Sequence, residues 1–389
     1  MAAPRTLPAV AFVFAGLGVC ALGYWYLQRK PTEQSALGGA RGGPPVEPSA
    51  STPPSAVSAQ PPAPKPRAPE TRPDDGLAKT VAEQRDRLFG RMQEELGLSA
   101  SSLAEVRKIF ESSPVLSQGN PLVARHPMKR SECWEAREGA GLHSEEKMRE
   151  LEKREARCGA RYMSPIGEDE GHLVCIDQYE FPNIPCEYPV IYPSARQASD
   201  LCKAVGKRLC DAHEWEGACA GKLLPAEEEY LWDRPRRIEM EYFKNKDREI
   251  LWAYGPKKDQ SKCATSSHKS SSCNGGGWES CGSNTFPTGA FPECVSRFGV
   301  YDQHGNAAEH MNLPLKPEEL SSRGGLGETE MKGSWFIFLR EQSHEDDCRW
   351  RAPAWHAGKV ASITSHLNYH LGFRCCKSVP TQAADARAP

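Results

Sequence analysis

Fourteen of the fifteen cysteines lie outside one N-terminal apolar run, and this even, dispersed set constrains the chain more than any other feature. None of them forms a Cys-x-x-Cys pair of the zinc-ribbon kind, which argues against structural zinc. An even number of scattered cysteines reads instead as disulfides made in an oxidising compartment. The alternative, a cytosolic chain with many buried thiols, leaves that even number without a cause. The bulk of the chain is therefore expected outside the cytoplasm, in the periplasm or extracellular space.

The N-terminus supplies the tether. Pro8 to Gln28 is apolar over about the length that spans a bilayer, with Arg5 before it and Arg29 and Lys30 after it. A cleaved signal peptide is the alternative. However, the run continues through Tyr24, Trp25 and Tyr26, residues suited to a membrane interface, and no small-x-small site follows. Leu17-Gly-Val-Cys20 is a poor lipobox, because Val19 is bulky. Residues 1–30 are read as an uncleaved membrane anchor. Residues 31–75, rich in Pro, Ala, Ser and Gly, are read as a disordered, semi-rigid spacer. The charge balance, net −2, gives no reason to expect a nucleic-acid partner.

Helical periodicity returns in residues 76–157. Val81, Leu88, Met92 and Leu96 lie near one face, and Ser102-Leu-Ala-Glu105 reads as a capping box. A helical hairpin packed on the main domain is expected here; a dimerisation or partner-binding arm is the alternative. Lys129–Arg157 is charged and reads as helix with a solvated face. Cys133 and Cys158 flank it, and their partners stay open. Further on, Ser194 can cap a helix carrying Ala195, Ala198, Leu201, Cys202 and Val205, with Gly206 at its left-handed stop. Asp211 and Glu214 form a capping box for a second helix that Gly221 ends. Leu173–Phe181 reads as a strand.

That order, a helix, then Gly206-Lys-Arg-Leu209, then an acidic-capped Glu214-Trp-Glu216 helix with Cys219 on its last turn, resembles the sulfatase-modifying-factor domain, the family of the formylglycine-generating enzyme. Three more segments match in order: Val300-Tyr-Asp-Gln-His-Gly-Asn-Ala-Ala-Glu309, Met331-Lys-Gly-Ser-Trp335 and Leu371-Gly-Phe-Arg-Cys375. Gly206–Cys210, Cys294–Asp302 and Gly372–Cys376 are most similar to a bacterial subgroup. The resemblance implies an α+β fold, C-type-lectin-like with irregular loops. It covers residues 158–378 and leaves 379–389 as a disordered tail.

The resemblance also implies a site. Disulfides Cys202–Cys375 and Cys219–Cys348 follow from the family, the latter with Cys348 standing in for a cysteine whose own position falls on Ala352. Cys175–Cys210 follows from the subgroup. Structural calcium is implied at Asp302, Gly305, Ala307 and Glu309, an oxygen-rich loop suited to a hard cation. A second family calcium site would need an asparagine where Ala264 stands. The active-site serine carries over to Ser334. The family's two copper(I)-binding cysteines fall on Ile337 and near Asp347, with Cys348 close by, so the two-thiolate copper chemistry is expected to be absent. The implied function is a membrane-tethered protein of the cell envelope that binds a protein or peptide ligand. The alternative is an oxygen-dependent metal oxidoreductase acting on a protein or small thiol, its metal site rearranged around Cys348 or the histidines. His304, His310, His344, His356, His366 and His370 lie in one domain, and four of them converging on a metal would support that alternative. The reading of scattered, individually bonded histidines competes with it. Asn274-Gly-Gly-Gly-Trp278 reads as a disulfide-pinned loop near a substrate groove.

Overall fold

The computed structural model describes residues 70, 72–169, 171–226, 251–352 and 358–381. The anchor at 1–30, most of the spacer, His356 and residues 382–389 lie outside the described residues. Among the described residues, no helix is long and apolar enough to cross a membrane.

Helix α1 (Val81–Leu96) starts where Thr80 Oγ1 accepts from Glu83 N at 3.1 Å, and stops at Gly97 with φ 65°. Helix α2 (Ala100–Glu111) is capped by Ser99, not by Ser102 as the sequence motif suggests. Ser99 Oγ instead accepts from Ser102 N, so the helix begins one turn earlier. The charged stretch forms two helices, α3 (Arg130–Gly139) and α4 (Glu145–Cys158), rather than one. Gly141, with φ 73°, sits in the turn between them. Helix α5 (Ala195–Ala204) carries the Ser194–Gln197 capping box, and α6 (Ala212–Ala220) the Asp211–Glu214 box.

Among the described residues, the strands form two small sheets. One contains β1 (Met163–Asp169), β2 (His172–Asp177), β7 (Cys375–Pro380) and β3 (Arg208–Leu209), in the order β1-β2-β7-β3 and all antiparallel. The other has β4 (Ala308–Leu313) at its centre, antiparallel to β5 (Glu328–Lys332) and parallel to β6 (Leu371–Phe373). Strands β6 and β7 are nearly continuous in sequence, so Arg374 links the two sheets. Much of the remaining backbone is irregular, which together with these elements gives an α+β fold.

The cores explain the arrangement. Leu88, Phe89 and Met92 of α1 and Val106 and Phe110 of α2 pack into one cluster with α5, Phe181 and Phe373. Phe89 meets Phe110 edge-on at 5.1 Å, and Phe181 stacks on Phe373 at 4.6 Å. Full burial of such rings stabilises by about 1.5–3 kcal/mol each. The hairpin α1–α2 is thus part of the domain core. Deleting residues 76–157 would open that core as well as remove an arm. A second core places Trp215 of α6 with Val174 and Ile176 of β2 and Met311 and Leu313 of β4, so α6 joins the two sheets.

Candidate functional site

The loop from Asp302 to Glu309 enters β4 and is folded by its own polar groups. Asp302 and Asn306 take left-handed φ values of 57° and 56°, and Gly305 takes 80°. A Cβ on Gly305 would come within 2.6 Å of Ala264 O, so glycine is required on two counts. Glu180 holds the turn: its Oε1 accepts from Ala307 N at 2.7 Å and its Oε2 from Asn306 Nδ2 at 2.6 Å. Asp302 Oδ2 accepts from Gly289 N at 2.6 Å. Arg374 grips Glu309 as a fork, with Nε to Oε2 at 2.7 Å and Nη2 to Oε1 at 2.6 Å, while Trp215 Nε1 also donates to Oε2.

Three carboxylates therefore crowd one buried space. Burial, together with Asp302 and Glu309 nearby, raises Glu180 well above the usual carboxylate range. Burial pushes Asp302 up to about 6, against the Gly289 N–H and Arg374. Burial also raises Glu309, although Arg374 opposes it. Asp302, Gly305, Ala307 and Glu309 all belong to this loop. Both oxygens of Glu309 are held by Arg374, and Oε2 also by Trp215.

Behind this loop, Ser334 is buried and fully used. Its Oγ accepts from Gly305 N at 2.9 Å and donates to Asp346 Oδ2 at 3.1 Å. Lys258 Nζ and Trp252 Nε1 meet Asp346 Oδ1 at 3.3 and 3.1 Å. Ser334 thus anchors the loop. Next to it, Glu216 of α6 accepts from Lys332 Nζ at 2.9 Å and from Arg351 Nε at 3.0 Å. Burial opposes its charge, but Arg351 and Lys332 hold its carboxyl well below the usual range.

The cysteines decide the redox chemistry. Cys202 is bonded to Cys375 and Cys219 to Cys348. Cys348 is therefore not a free thiolate in this structure, and its candidate catalytic role is not available to it here. The Cys175–Cys210 pairing is not formed: Cys158 bonds Cys175, and Cys210 bonds Cys376. Side chains alternate along β2, so Leu173 and Cys175 face Cys158 and Met163, while Val174 and Ile176 face Cys210 and Cys376. The sheet itself separates Cys175 from Cys210. Cys133 pairs with Cys186, Cys263 with Cys294, and Cys273 with Cys281, the last closing the Asn274–Trp278 loop. Ile337, at the position of the first copper cysteine, is buried against Phe336 and Tyr369.

Among the described residues, the histidines do not converge as a group of four. His310 Nε2 lies 3.1 Å from Pro193 O, His366 is exposed, and no helix carries the His366–His370 pair. His344 stacks on Trp350 at 4.1 Å, and His370 lies 4.1 Å from Trp335. These rings continue through Tyr369 to Phe336 and form an aromatic run beside Ser334. The buried Nε1–H of Trp335 and Nε2 of His344 make no hydrogen bond within the described chain. His304 lies elsewhere, its Nε2 3.3 Å from Cys219 Sγ. Sequence reasoning missed Arg374 as the partner of Glu309 and His304 as the neighbour of a disulfide. Both contacts join segments far apart in the chain.

A family model, described as the sulfatase-modifying factor enzyme 1-like domain, matches residues 180–379, about half of the chain. A search of curated proteins finds no match to this chain.

Proposed function

We propose that this chain, which belongs to the sulfatase-modifying factor family, is a non-catalytic member that binds a protein or peptide ligand at the cell envelope. The observation that carries this is the state of its cysteines. Every cysteine among the described residues sits in one of seven disulfides, and the first copper-cysteine position is the buried Ile337. Two free thiolates at that place, which the family's copper chemistry requires, are thus missing from the folded, oxidised chain. The binding surface in this reading lies at the half-buried Trp335, His344 and Trp350, with Phe336, Tyr369 and His370 of the same aromatic run buried. Leu339, about half exposed, follows the Trp335–Phe338 segment in sequence and gives this face an exposed apolar side chain.

The same reading holds the domain outside the cytoplasm on the Pro8–Gln28 anchor. The dense disulfide framework supports an oxidising compartment. Calcium belongs to the proposal at Asp302 and the carbonyls of Gly305 and Ala307, where three buried carboxylates lie near Arg374, with Arg137 also acting on Asp302. A hard cation there would supply charge neutralisation and loop order.

The test uses the oxidised full chain, a cysteine-containing peptide, copper(I) and oxygen, with the peptide cysteine followed by mass spectrometry. No conversion is expected, and peptides retained from a displayed library should be lost on Leu339→Asp. Turnover of the peptide cysteine would overturn the non-catalytic reading in favour of an oxidoreductase.

A further inference from the structure

Cys219 and Cys348 bring a third potential ligand with them. The imidazole of His304 is buried, and its Nε2, Cys219 Sγ and Cys348 Sγ all lie within 4.8 Å of one another. Ala253 N donates to that Nε2 at 2.9 Å, so the nitrogen near the sulfurs is unprotonated, and a metal would take its lone pair over from that one N–H.

We infer that Cys219, Cys348 and His304 form a redox-gated metal site, closed as a disulfide and opened by a dithiol reductant to take one soft or borderline cation such as Zn²⁺. Reduction moves two electrons and two protons from the dithiol to the disulfide, giving two thiols and the oxidised, disulfide form of the reductant. Metal binding then releases both thiol protons and leaves two thiolates and one imidazole as ligands, with a fourth position for water. A tetrahedral zinc with bonds of about 2.3 Å to sulfur and about 2.0–2.1 Å to nitrogen needs sulfur and nitrogen about 3.5 Å apart. The 3.3 Å separation of His304 Nε2 from Cys219 Sγ is close to that edge. The Cα atoms of the two cysteines, 5.5 Å apart, leave the sulfurs room to separate by rotation of their side chains.

A second group, Cys210, Glu214 and Cys376, has the same count of ligands but a committed carboxylate. Glu214 is forked by Arg208 at 2.8 and 2.5 Å and also accepts from Asp211 N. Among the described residues His304 has no such fork, and its Nε2 is held by the single N–H of Ala253. This inference is independent of the ligand-binding reading, since neither the aromatic face nor peptide turnover enters it.

The test is partial reduction of the full chain with dithiothreitol under native conditions, anaerobic desalting, and titration with Co²⁺ and Zn²⁺. Thiol mapping by mass spectrometry and far-ultraviolet circular dichroism run in parallel. The expected result is release of Cys219 and Cys348 with the fold retained, one Co²⁺ per chain, and a thiolate-to-cobalt charge-transfer band that Zn²⁺ bleaches. His304→Gln should free the same two thiols yet weaken Co²⁺ binding by at least about tenfold, since even outer-shell partners are worth that much. Cys219→Ser/Cys348→Ser should abolish the band. Three results overturn the inference: unfolding before this pair is reduced, free Cys219 and Cys348 with no stoichiometric Co²⁺, or unchanged affinity in His304→Gln. The wild-type titration decides the matter even if a variant fails to fold.

Discussion

Two disulfides end at adjacent residues, and their contributions to stability should not add. Cys202–Cys375 spans 173 residues, and in the chain-entropy model such a loop alone is worth about 5 kcal/mol. Cys210–Cys376, however, already closes nearly the same loop. With it intact, breaking Cys202–Cys375 frees only the segment from Cys202 to Cys210 and the step from Cys376 to Cys375. That is about nine residues, worth about 2.6 kcal/mol, and the reverse case is equivalent. With both gone, closure passes to Cys219–Cys348, which leaves a loop of about 38 residues. The second loss then costs about 3.8 kcal/mol, the pair together about 6.4, and the excess over additivity is about 1.2 kcal/mol. The assay is guanidinium unfolding of the oxidised full chain carrying Cys202→Ala/Cys375→Ala, Cys210→Ala/Cys376→Ala, or all four substitutions. Packing losses appear in the single-bridge variants and cancel in the cycle. Additivity within about 0.5 kcal/mol would refute the shared-loop reasoning.

Phe110→Ala should cost about 3–5 kcal/mol and lower the midpoint of a single unfolding transition, because Phe110 is completely buried in the core shared with Phe181 and Phe373; a separate early transition of the α1–α2 hairpin would show that it is not part of that core. Arg374→Ala should cost about 3–5 kcal/mol, read by the same denaturation, since it leaves Glu309 buried and unpaired, whereas Arg374→Ala/Glu309→Gln should recover part of the loss. Asp302, raised to about 6, contributes stability that is fully present below its unfolded pKa near 4 and is lost as pH rises to about 6. Without calcium, Asp302→Asn should therefore gain on the wild type by up to about 3 kcal/mol between pH 4 and 6, measured by melting with chelator. Added calcium should raise the wild-type melting temperature and leave Asp302→Asn unmoved; equal response of the two would place any calcium elsewhere.

What the sequence determined was what short stretches decide by themselves. Ser194 with Gln197, and Asp211 with Glu214, close their capping boxes within four residues. Gly206 and Gly221 stop their helices because φ values of 74° and 81° suit glycine. The ordered motifs were enough to place the family, and the even cysteine count was enough to expect disulfides. Even locally, though, Ser99 displaced Ser102 as cap, since either serine can offer the oxygen and packing of Leu103, Val106 and Phe110 chooses between them. Tertiary structure alone decided the rest. The alternation of β2 sends Cys175 to Cys158 on one face and leaves Cys210 for Cys376 on the other. The return of the chain through β6 and β7 brings Arg374 to Glu309, and the approach of α6 to the 302–309 loop brings Cys219 to His304. These pairings depend on which face a strand presents and where distant segments cross, and neither is encoded in the spacing of residues along the chain.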